Sequence, residues 1–220
     1  TLVLIIFQDL TLRRKKYKNL VFDLDGTLID SSKGITESLA HACFKIDGKT
    51  RIIDKTIIGP PIHEMISLVA PDFSKLEKME ALKIFRKIYD NHLWEKFSAY
   101  KGVYKTLDEL YREKFSMHIA TNKPHIPTSK ICEKIGIVNY FESIRTLDTN
   151  IHNSKFDFLK DFIKVRNQTV FIGDTHSDLI VASKLGIDFI YFESGFDKCF
   201  YGHVKYKIKK FEDILRYLYD

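Results

Sequence analysis

The sequence predicts an α/β protein with a parallel sheet at its core and a small helical unit inserted after the first strand. Two observations predict this class. From residue 99 onward, apolar strand-like runs alternate with segments of helical periodicity, as in parallel sheets covered by helices on both faces. Between residues 32 and 98 the sequence is almost entirely helix-like, so the alternation breaks directly after the first strand.

The core elements follow one another at short spacing. Strands are expected at residues 20–22, 116–120, 143–147, 170–172, 187–192 and 204–208. Helices are expected at residues 103–114, 128–135, 154–165, 177–185 and 211–219. Gly136 and Gly186 directly follow two of these helices, and glycine is strongly favoured just beyond a helix C-terminus.

The inserted unit is predicted to hold three helices, at residues 33–46, 62–69 and 75–97. Gly48 and the turn Gly59-Pro60-Pro61 separate them. We therefore expect an N-terminal extension at residues 1–16 and a helical cap at residues 32–98. The remaining residues, 17–31 and 99–220, are expected to form a Rossmann-like three-layer core. Hinges are expected where the chain crosses between core and cap, near residues 31–33 and 98–102.

Charge and apolar patterning argue against nucleic-acid and membrane partners. The 220 residues carry 35 Lys and Arg against 29 Asp and Glu, and the resulting charge of +6 is mostly dispersed. Such a mild excess suits an enzyme for phosphate anions, whereas a nucleic-acid binder needs a clustered basic face. The apolar run at residues 2–7 is far shorter than the roughly 20 residues of a membrane span.

Cysteine usage indicates a reducing compartment. Cys43, Cys132 and Cys199 are odd in number and widely spaced, which supports neither a disulfide framework nor a zinc ribbon. Free thiols in the cytosol are the simplest account. We expect a cytoplasmic protein that is a monomer or a homodimer.

Two carboxylates close the first predicted strand. Asp23 and Asp25 stand two residues apart after the apolar run at residues 20–22, so on an extended chain they project to the same side. Like charges this close are costly unless a cation or a shared proton relieves them. The pair therefore indicates a metal site or an acid–base site, and two turn-forming aspartates after an edge strand are the alternative interpretation.

Two further positions carry groups that suit a phosphate ligand. In Ala120-Thr-Asn-Lys123, Thr121 and Asn122 follow a predicted strand, where a hydroxyl and backbone N–H groups bind phosphate oxygens. An ordinary strand-to-helix turn is the alternative. Lys155 begins a predicted helix, where its charge opposes the helix dipole, and it is preferred over Lys160 and Lys164 on the same helix.

A second apolar strand also ends in acid. In Val170-Phe-Ile-Gly-Asp-Thr-His-Ser-Asp178, Asp174 follows Gly173, which permits close backbone approach. Asp178 comes four residues later, in the first turn of the next helix, and faces back toward the same point. Loops at the carboxyl ends of parallel strands converge, so the sequence predicts that all four positions form one site.

Together these segments resemble the haloacid dehalogenase-like superfamily of phosphatases over residues 17–220. Asp23-Leu-Asp-Gly-Thr-Leu-Ile-Asp-Ser31, Ile58-Gly-Pro-Pro61 and Ala120-Thr-Asn-Lys123 are similar to its phosphoglycolate phosphatase-type branch. That branch carries a helical cap after the first motif, which is where the helical insertion lies here. One departure is Phe156, since members of the family often have proline or glycine after the lysine.

The resemblance implies hydrolysis in two phosphoryl-transfer steps. Asp23 would be the nucleophile, and Asp25 would protonate the leaving group and then deprotonate water. Mg²⁺ prefers oxygen ligands, and it would be bound by Asp23, by Asp174 and by the backbone carbonyl of Asp25. Asp178 would either bind the ion directly or contact one of its ligands. Lys155, Thr121 and Asn122 would stabilise the phosphoryl oxygens, in the case of Asn122 through its main-chain N–H.

The substrate implied is a small phosphate ester, with phosphoglycolate first. A 5′-nucleotide, pyrophosphate or another small phosphoester stays open, and His63 or Glu64 of the cap would lie near it. A phosphohexomutase is disfavoured, because Pro61 and Ile62 occupy the region where mutases carry an arginine and Thr27 fits the phosphatase branch. A non-catalytic phosphate binder is also disfavoured, since it has no need of Asp25.

Overall fold

The computed structural model describes residues 14–147, 154–197 and 204–220. Its eight strands are β1 (Asn19–Phe22), β2 (Ile29–Asp30), β3 (Ser98–Ala99), β4 (Ser116–Ala120), β5 (Ser143–Arg145), β6 (Thr169–Gly173), β7 (Asp188–Phe192) and β8 (Tyr206–Ile208). Six of them form one parallel sheet in the order β5-β4-β1-β6-β7-β8. The predicted α/β class is confirmed. The basic segment at residues 205–210 includes β8, an edge strand of this sheet.

Seven α-helices accompany the strands. They are α1 (Ser32–Asp47), α2 (Ile62–Val69), α3 (Lys75–Ile88), α4 (Val103–Arg112), α5 (His125–Lys134), α6 (Lys155–Phe162) and α7 (His176–Leu185). Short 3₁₀ helices occupy Lys55–Ile57, Val138–Tyr140, Arg166–Gln168 and Phe211–Tyr217. Helices α1, α2 and α3 belong to the predicted cap, and we keep that name for residues 32–98.

Alternation along β1 divides the core into two apolar layers. Leu20 and Phe22 face a cluster that includes α4, α5 and the C-terminal 3₁₀ helix, whereas Val21 faces α6 and α7 on the other side of the sheet. All three side chains are fully buried. Strand β1 is central, with Phe22 opposite Ile119 of β4 and Ile172 of β6, so the carboxyl ends of these three strands lie side by side.

The cap has an apolar cluster of its own. Helices α1, α2 and α3 each contribute members, and the core loop after β7 contributes one, as shown by Leu39, Ile66, Phe85 and Phe196. Where the chain enters and leaves the cap, β2 and β3 pair antiparallel, with Ile29 opposite Ala99 and Asp30 opposite Ser98. This two-stranded ribbon lies at the two predicted crossings, while hinge motion there stays a prediction.

Three predicted helices differ from the observed ones. The helix expected at 75–97 ends at Ile88 and continues as one π turn over Tyr89–Leu93, in which the Trp94 N–H donates to Tyr89 O at 2.9 Å. Helix α5 begins at His125 rather than 128, because Pro127 lies in its first turn, where no N–H is required. The α-helix expected at 211–219 is a 3₁₀ helix, whose three-residue repeat buries Phe211 and Ile214 on one side.

The described part of the predicted N-terminal extension contacts the C-terminus. Lys15 forms an isolated bridge with Tyr219, and the Lys16 N–H donates to Leu218 O at 2.9 Å. Residues 1–13 lie outside the described residues, as does Cys199. Cys43 and Cys132 are buried free thiols. None of the helices in the described ranges has the length and apolar character that crossing a bilayer demands.

Replacing Leu107 with alanine is expected to destabilise the core. Leu107 is fully buried on α4, so Leu107→Ala removes apolar contacts and leaves a cavity. The free energy of unfolding, measured by urea titration, is expected to fall by about 2–5 kcal/mol. Leu76→Ala is the matched control, because Leu76 is 77% exposed on α3 and its loss is expected to change stability by less than about 0.5 kcal/mol. Equal effects of the two substitutions would contradict the packing described above.

Candidate active site

Asp23 lies at the carboxyl end of β1, buried between two neighbouring strands. Its N–H continues the sheet pairing to Ile172 O at 2.9 Å, and the residue is 5% exposed. Burial raises the pKa of Asp23; Lys155 lowers it, Asp178 raises it, and the result is about 7. The sheet thus holds this carboxylate in a site where its negative charge needs cations.

Lys155 supplies one of those cations. Its Nζ lies 2.9 Å from Asp23 Oδ1 and 2.8 Å from Asp178 Oδ1, and the lysine is 5% exposed. Burial alone would lower the pKa of Lys155, but Asp178 and Asp23 outweigh it and keep the pKa above the usual value. Lys160, the competing candidate on the same helix, is exposed. The side chain of Lys155 therefore joins the end of β1 to the start of α7.

Asp178 is fixed by a capping box at the start of α7. Its Oδ2 accepts the Thr175 hydroxyl at 2.7 Å and the Thr175 N–H at 3.2 Å, while the Asp178 N–H donates to Thr175 Oγ1 at 3.3 Å. Helix capping and the bond to Lys155 use different oxygens of the same carboxylate. Asp178 thus combines the structural role of a helix-terminal acid with a position in the site.

Asp174 is the most enclosed carboxylate of the group. Its Oδ1 accepts the Thr27 hydroxyl at 2.9 Å, and its Oδ2 accepts the Phe196 N–H at 2.7 Å. Burial, together with Asp23 and Asp178, raises the pKa of Asp174 well above its usual value. Gly26 is required beside it, because Gly26 has φ of +88° and an added Cβ would lie 2.1 Å from Asp174 Oδ2.

Three of these carboxylates form a potential metal centre. Asp23, Asp174 and Asp178 each offer an oxygen atom, and the three atoms lie within 4.8 Å of one another. All three residues are buried, and the pKa values of Asp23 and Asp174 lie above their usual range. Oxygen donors of this kind, concentrated and desolvated, suit a hard divalent cation such as Mg²⁺.

Asp25 contacts a separate cation. Lys123 Nζ lies 3.0 Å from Asp25 Oδ1, and the Ser31 hydroxyl donates to the same oxygen. Lys123 also donates to the Tyr89 hydroxyl at 2.9 Å, so the cap contributes a contact to this part of the site. Burial alone would lower the pKa of Lys123, but Asp25 and Tyr89 outweigh it and the pKa lies above the usual value.

The loop after β4 holds Thr121 and Asn122 at the same edge. The Thr121 N–H pairs with Arg145 O at 3.0 Å, and Thr121 Oγ1 accepts the Lys123 N–H at 3.1 Å. The Asn122 side chain donates to Gly59 O of the cap at 2.9 Å. The Asn122 amide therefore supports the turn at residues 59–61, in keeping with the expectation that its main chain, rather than its side chain, faces a ligand.

A cavity of about 540 Å³ lies between this edge of the sheet and the cap. Its floor contains five of the predicted site residues: Asp23, Asp25, Thr121, Asn122 and Lys155. Its cap side is largely apolar, with charged groups among the lining: Ile35, Ile58, Ile62, His63, Met65, Leu82, Phe85, Arg86 and Asp90. Asp174 and Asp178 lie behind the floor, next to Asp23. Glu64 does not line the cavity, whereas His63 does.

Three residues on the Asp25 side of the site are not among those predicted from the sequence: Lys123, Tyr89 and Ser31. Lys123 and Ser31 belong to the motifs quoted for the resemblance, so the signal that would have found them is their place in those motifs. Tyr89 carries no such signal, because it lies 34 residues from Lys123 along the chain and meets it only through the cap.

The family model for haloacid dehalogenase-like hydrolases matches residues 20–192. The chain belongs to that family. The matched segment contains the seven candidate site residues predicted above, from Asp23 to Asp178. The resemblance inferred from the motifs is therefore confirmed at the level of the family.

Several known proteins are similar to this chain. A tyrosine-protein kinase, PtkA of Mycobacterium tuberculosis, is 31% identical over 77% of this chain and 60% of its own length. A 5′-nucleotidase of Pseudomonas aeruginosa is 27% identical over 78% of this chain and 80% of its own length. A phosphoglycolate phosphatase of Pseudomonas fluorescens is 26% identical over 81% of this chain and 70% of its own length. This chain thus spans less than two thirds of the kinase.

Among solved structures, a haloacid dehalogenase-like hydrolase, SP0104 of Streptococcus pneumoniae, superposes with a TM-score of 0.81. The superposition covers 92% of this chain and 98% of that protein, at 26% identity. This likeness supports the predicted α/β fold, because it extends over almost the whole of both chains.

Removing the Lys155 charge is expected to destabilise the metal-free protein strongly. Lys155→Met leaves the buried Asp23 and Asp178 without their shared cation. Breaking a buried pair in this way is expected to lower the free energy of unfolding by about 3–5 kcal/mol, measured by urea titration in the presence of a chelator. Lys160→Met on the exposed side of α6 is the control and is expected to change it by less than about 0.5 kcal/mol. A small effect at Lys155 would contradict its predicted place in the site.

Proposed function

We propose that this protein hydrolyses phosphate monoesters of small metabolites through an aspartyl-phosphate on Asp23, with Mg²⁺ as cofactor. The observation that supports this most directly is that Asp23 and Asp25 face one cavity but have different cation partners, Lys155 and Lys123. Two carboxylates in different environments take different roles in one reaction. The family assignment supports the same reaction class.

In the first step, an Asp23 oxygen attacks the phosphorus atom of the substrate. The P–O bond to the leaving group breaks, and the leaving oxygen takes a proton from Asp25. Lys155 and the Thr121 hydroxyl stabilise the charge on the phosphoryl oxygens. The products of this step are a free alcohol and a phosphorylated Asp23.

In the second step, water attacks the phosphorus atom of the aspartyl-phosphate. Asp25, now unprotonated, accepts the proton of that water, and the P–O bond to Asp23 breaks. Inorganic phosphate leaves, and both aspartates return to their initial protonation states. The cap-side cavity wall, with apolar residues such as Ile58 and Phe85, limits the access of other water molecules.

Asp23, Asp174 and Asp178 would hold the Mg²⁺ ion. The bound ion would supply positive charge that offsets the repulsion between the Asp23 carboxylate and the phosphate anion. Thr27 and the Phe196 N–H orient the Asp174 carboxylate, so the donor set is fixed from two sides. The concentration of buried acid, rather than any single residue, supports this assignment.

The motifs and the cap side of the cavity indicate the leaving group. Phosphoglycolate is the reference substrate, because the first and second motifs resemble that branch and Arg86 and His63 provide cap-side groups for a carboxylate. A 5′-nucleotide is the second candidate. The apolar cap side of a cavity of about 540 Å³ favours a larger and less polar group than glycolate.

Asp23→Asn is expected to reduce hydrolysis of every phosphate ester by at least about a thousandfold, because the amide cannot form the aspartyl-phosphate. The measurement is phosphate release with Mg²⁺ from phosphoglycolate, nucleoside monophosphates, pyrophosphate and sugar phosphates. Asp72→Asn, at an exposed cap position, is the control and should match the parent protein. Persistent activity in Asp23→Asn would show that Asp23 is not the nucleophile. The ranking of substrates for the parent protein identifies the preferred leaving group.

The same preparations distinguish hydrolysis from phosphoryl transfer to protein. The relative PtkA is named a tyrosine-protein kinase, so γ-labelled ATP is included with a tyrosine-containing acceptor. Release of label as inorganic phosphate is the expected result. Label on tyrosine that depends on Asp23 would replace the hydrolase proposal with a transferase, and an absence of any turnover would support a phosphate-binding role.

Mg²⁺ is expected to stabilise the protein, because it relieves repulsion among Asp23, Asp174 and Asp178. The measurement is the midpoint of thermal unfolding with and without Mg²⁺. At an ion concentration of 100 times Kd, binding is expected to raise the free energy of unfolding by about 2.7 kcal/mol. Asp174→Asn is expected to abolish most of that shift, whereas Asp188→Asn at the opposite edge of the sheet should retain it. An equal Mg²⁺ response in both variants would place the ion elsewhere.

A further inference from the structure

We propose that Lys123 and Tyr89 are positioning residues that make the placement of the Asp25 carboxylate depend on the cap. The inference rests on the proposed function, in which Asp25 is the acid and base. It adds that the nucleophilic half of the site is built by the core alone, whereas the acid–base half requires a cap residue as well.

Lys123 joins the two halves of the molecule through a single ammonium group. Its Nζ lies 3.0 Å from Asp25 Oδ1 in the core and 2.9 Å from the Tyr89 hydroxyl in the cap. The lysine is 8% exposed and lines the cavity. A buried ammonium group is costly unless its N–H groups are hydrogen-bonded. We therefore expect Lys123 to keep both partners, so that a displacement of Tyr89 also displaces Asp25.

Tyr89 is itself held firmly. It is 3% exposed, and its ring stacks on Phe85 with centroids 5.5 Å apart and planes 6° from parallel. It also opens the π turn Tyr89–Leu93, an insertion type that is frequent at functional sites. Since the ring cannot turn freely, the direction of its hydroxyl follows the position of the cap.

A second bond ties the same core loop to the cap. The Asn122 side chain donates to Gly59 O at 2.9 Å, so adjacent residues of one loop contact two separate cap segments. The partners of Asp23, by contrast, are Lys155 and the backbone of β6, which all belong to the core. Displacement of the cap would therefore disturb Asp25 and leave Asp23 in place.

This arrangement has a chemical consequence that can be measured. An alkoxide leaving group needs a proton from Asp25, whereas a dinitrophenolate leaves without one. In the transfer of the phosphoryl group to Asp23, a variant with a misplaced Asp25 therefore loses more rate on an alkyl phosphate than on an activated aryl phosphate. The later attack of water, which needs Asp25 as a base, is the same step for both substrates. Damage to the nucleophile or to the fold lowers the rate on both substrates alike.

The test compares kcat/KM for β-glycerol phosphate and 2,4-dinitrophenyl phosphate in Lys123→Met and Tyr89→Phe, because kcat/KM reports phosphoryl transfer to Asp23 and not the later hydrolysis of the aspartyl-phosphate. Lys123→Met is expected to lower kcat/KM at least about tenfold on the alkyl ester and less than about threefold on the aryl ester, the pattern also expected of Asp25→Asn. Tyr89→Phe, which keeps the ring, is expected to show the same selectivity at smaller magnitude. Lys105→Met and Tyr104→Phe on the exposed side of α4 are the controls and should match the parent protein.

Trp94 provides a readout that does not require turnover. It is the single tryptophan of the chain, follows the π turn and packs against both the core cluster and the cap cluster. If Lys123 and Tyr89 hold the cap, both variants are expected to shift Trp94 emission toward that of a more hydrated indole. Urea unfolding of each variant establishes that the shift occurs in folded protein.

The outcomes are separable. Equal losses on both esters, or unchanged rates with unchanged Trp94 emission, would overturn the inference and leave the proposed function intact as long as Asp23→Asn is inactive. If the parent protein hydrolyses neither ester, the proposed function fails in its present form. The Trp94 comparison then still decides whether the lysine–tyrosine contact holds the cap.

Discussion

The burial of negative charge at the carboxyl end of β1 is the constraint on which the rest of the structure depends. Asp23 and Asp25 leave the sheet side by side, and Asp174 and Asp178 approach from β6 and α7. Desolvated carboxylates are costly without counter-charge, so cations must reach them. Lys155 does so from the start of α6 and Lys123 from the loop after β4, at N–O distances of 2.8–3.0 Å.

The apolar layers explain why this charge can be concentrated at all. Leu20, Val21 and Phe22 are fully buried and fix β1 between its neighbours on both faces of the sheet. The strand is held by its backbone pairing to β4 and β6, so the carboxylates that follow have little freedom to move apart. Packing energy spread over two layers thus offsets electrostatic cost confined to one edge.

The sequence predicted the part of the site that follows strand ends. Asp23, Thr121 and Asp174 each come directly after a strand, and Asp25 follows Asp23 by two residues. The topology of parallel sheets brings such positions together. Contacts made across the insertion could not be predicted in this way. Tyr89 contacts Lys123 at the point where the helix expected to continue to residue 97 changes to a π turn, and local periodicity does not predict such a change.

Phe196 has a further consequence. Its N–H binds Asp174, while its fully buried ring is a member of the cap's apolar cluster. Phe196 therefore connects one of the clustered carboxylates to the apolar cluster of the cap. Coupling between two sites is reciprocal. If a bound ion stabilises the packing of that ring, the packing of the ring strengthens ion binding by the same free energy. Substituting the cap residues that surround the Phe196 ring would then change ion affinity without altering a carboxylate.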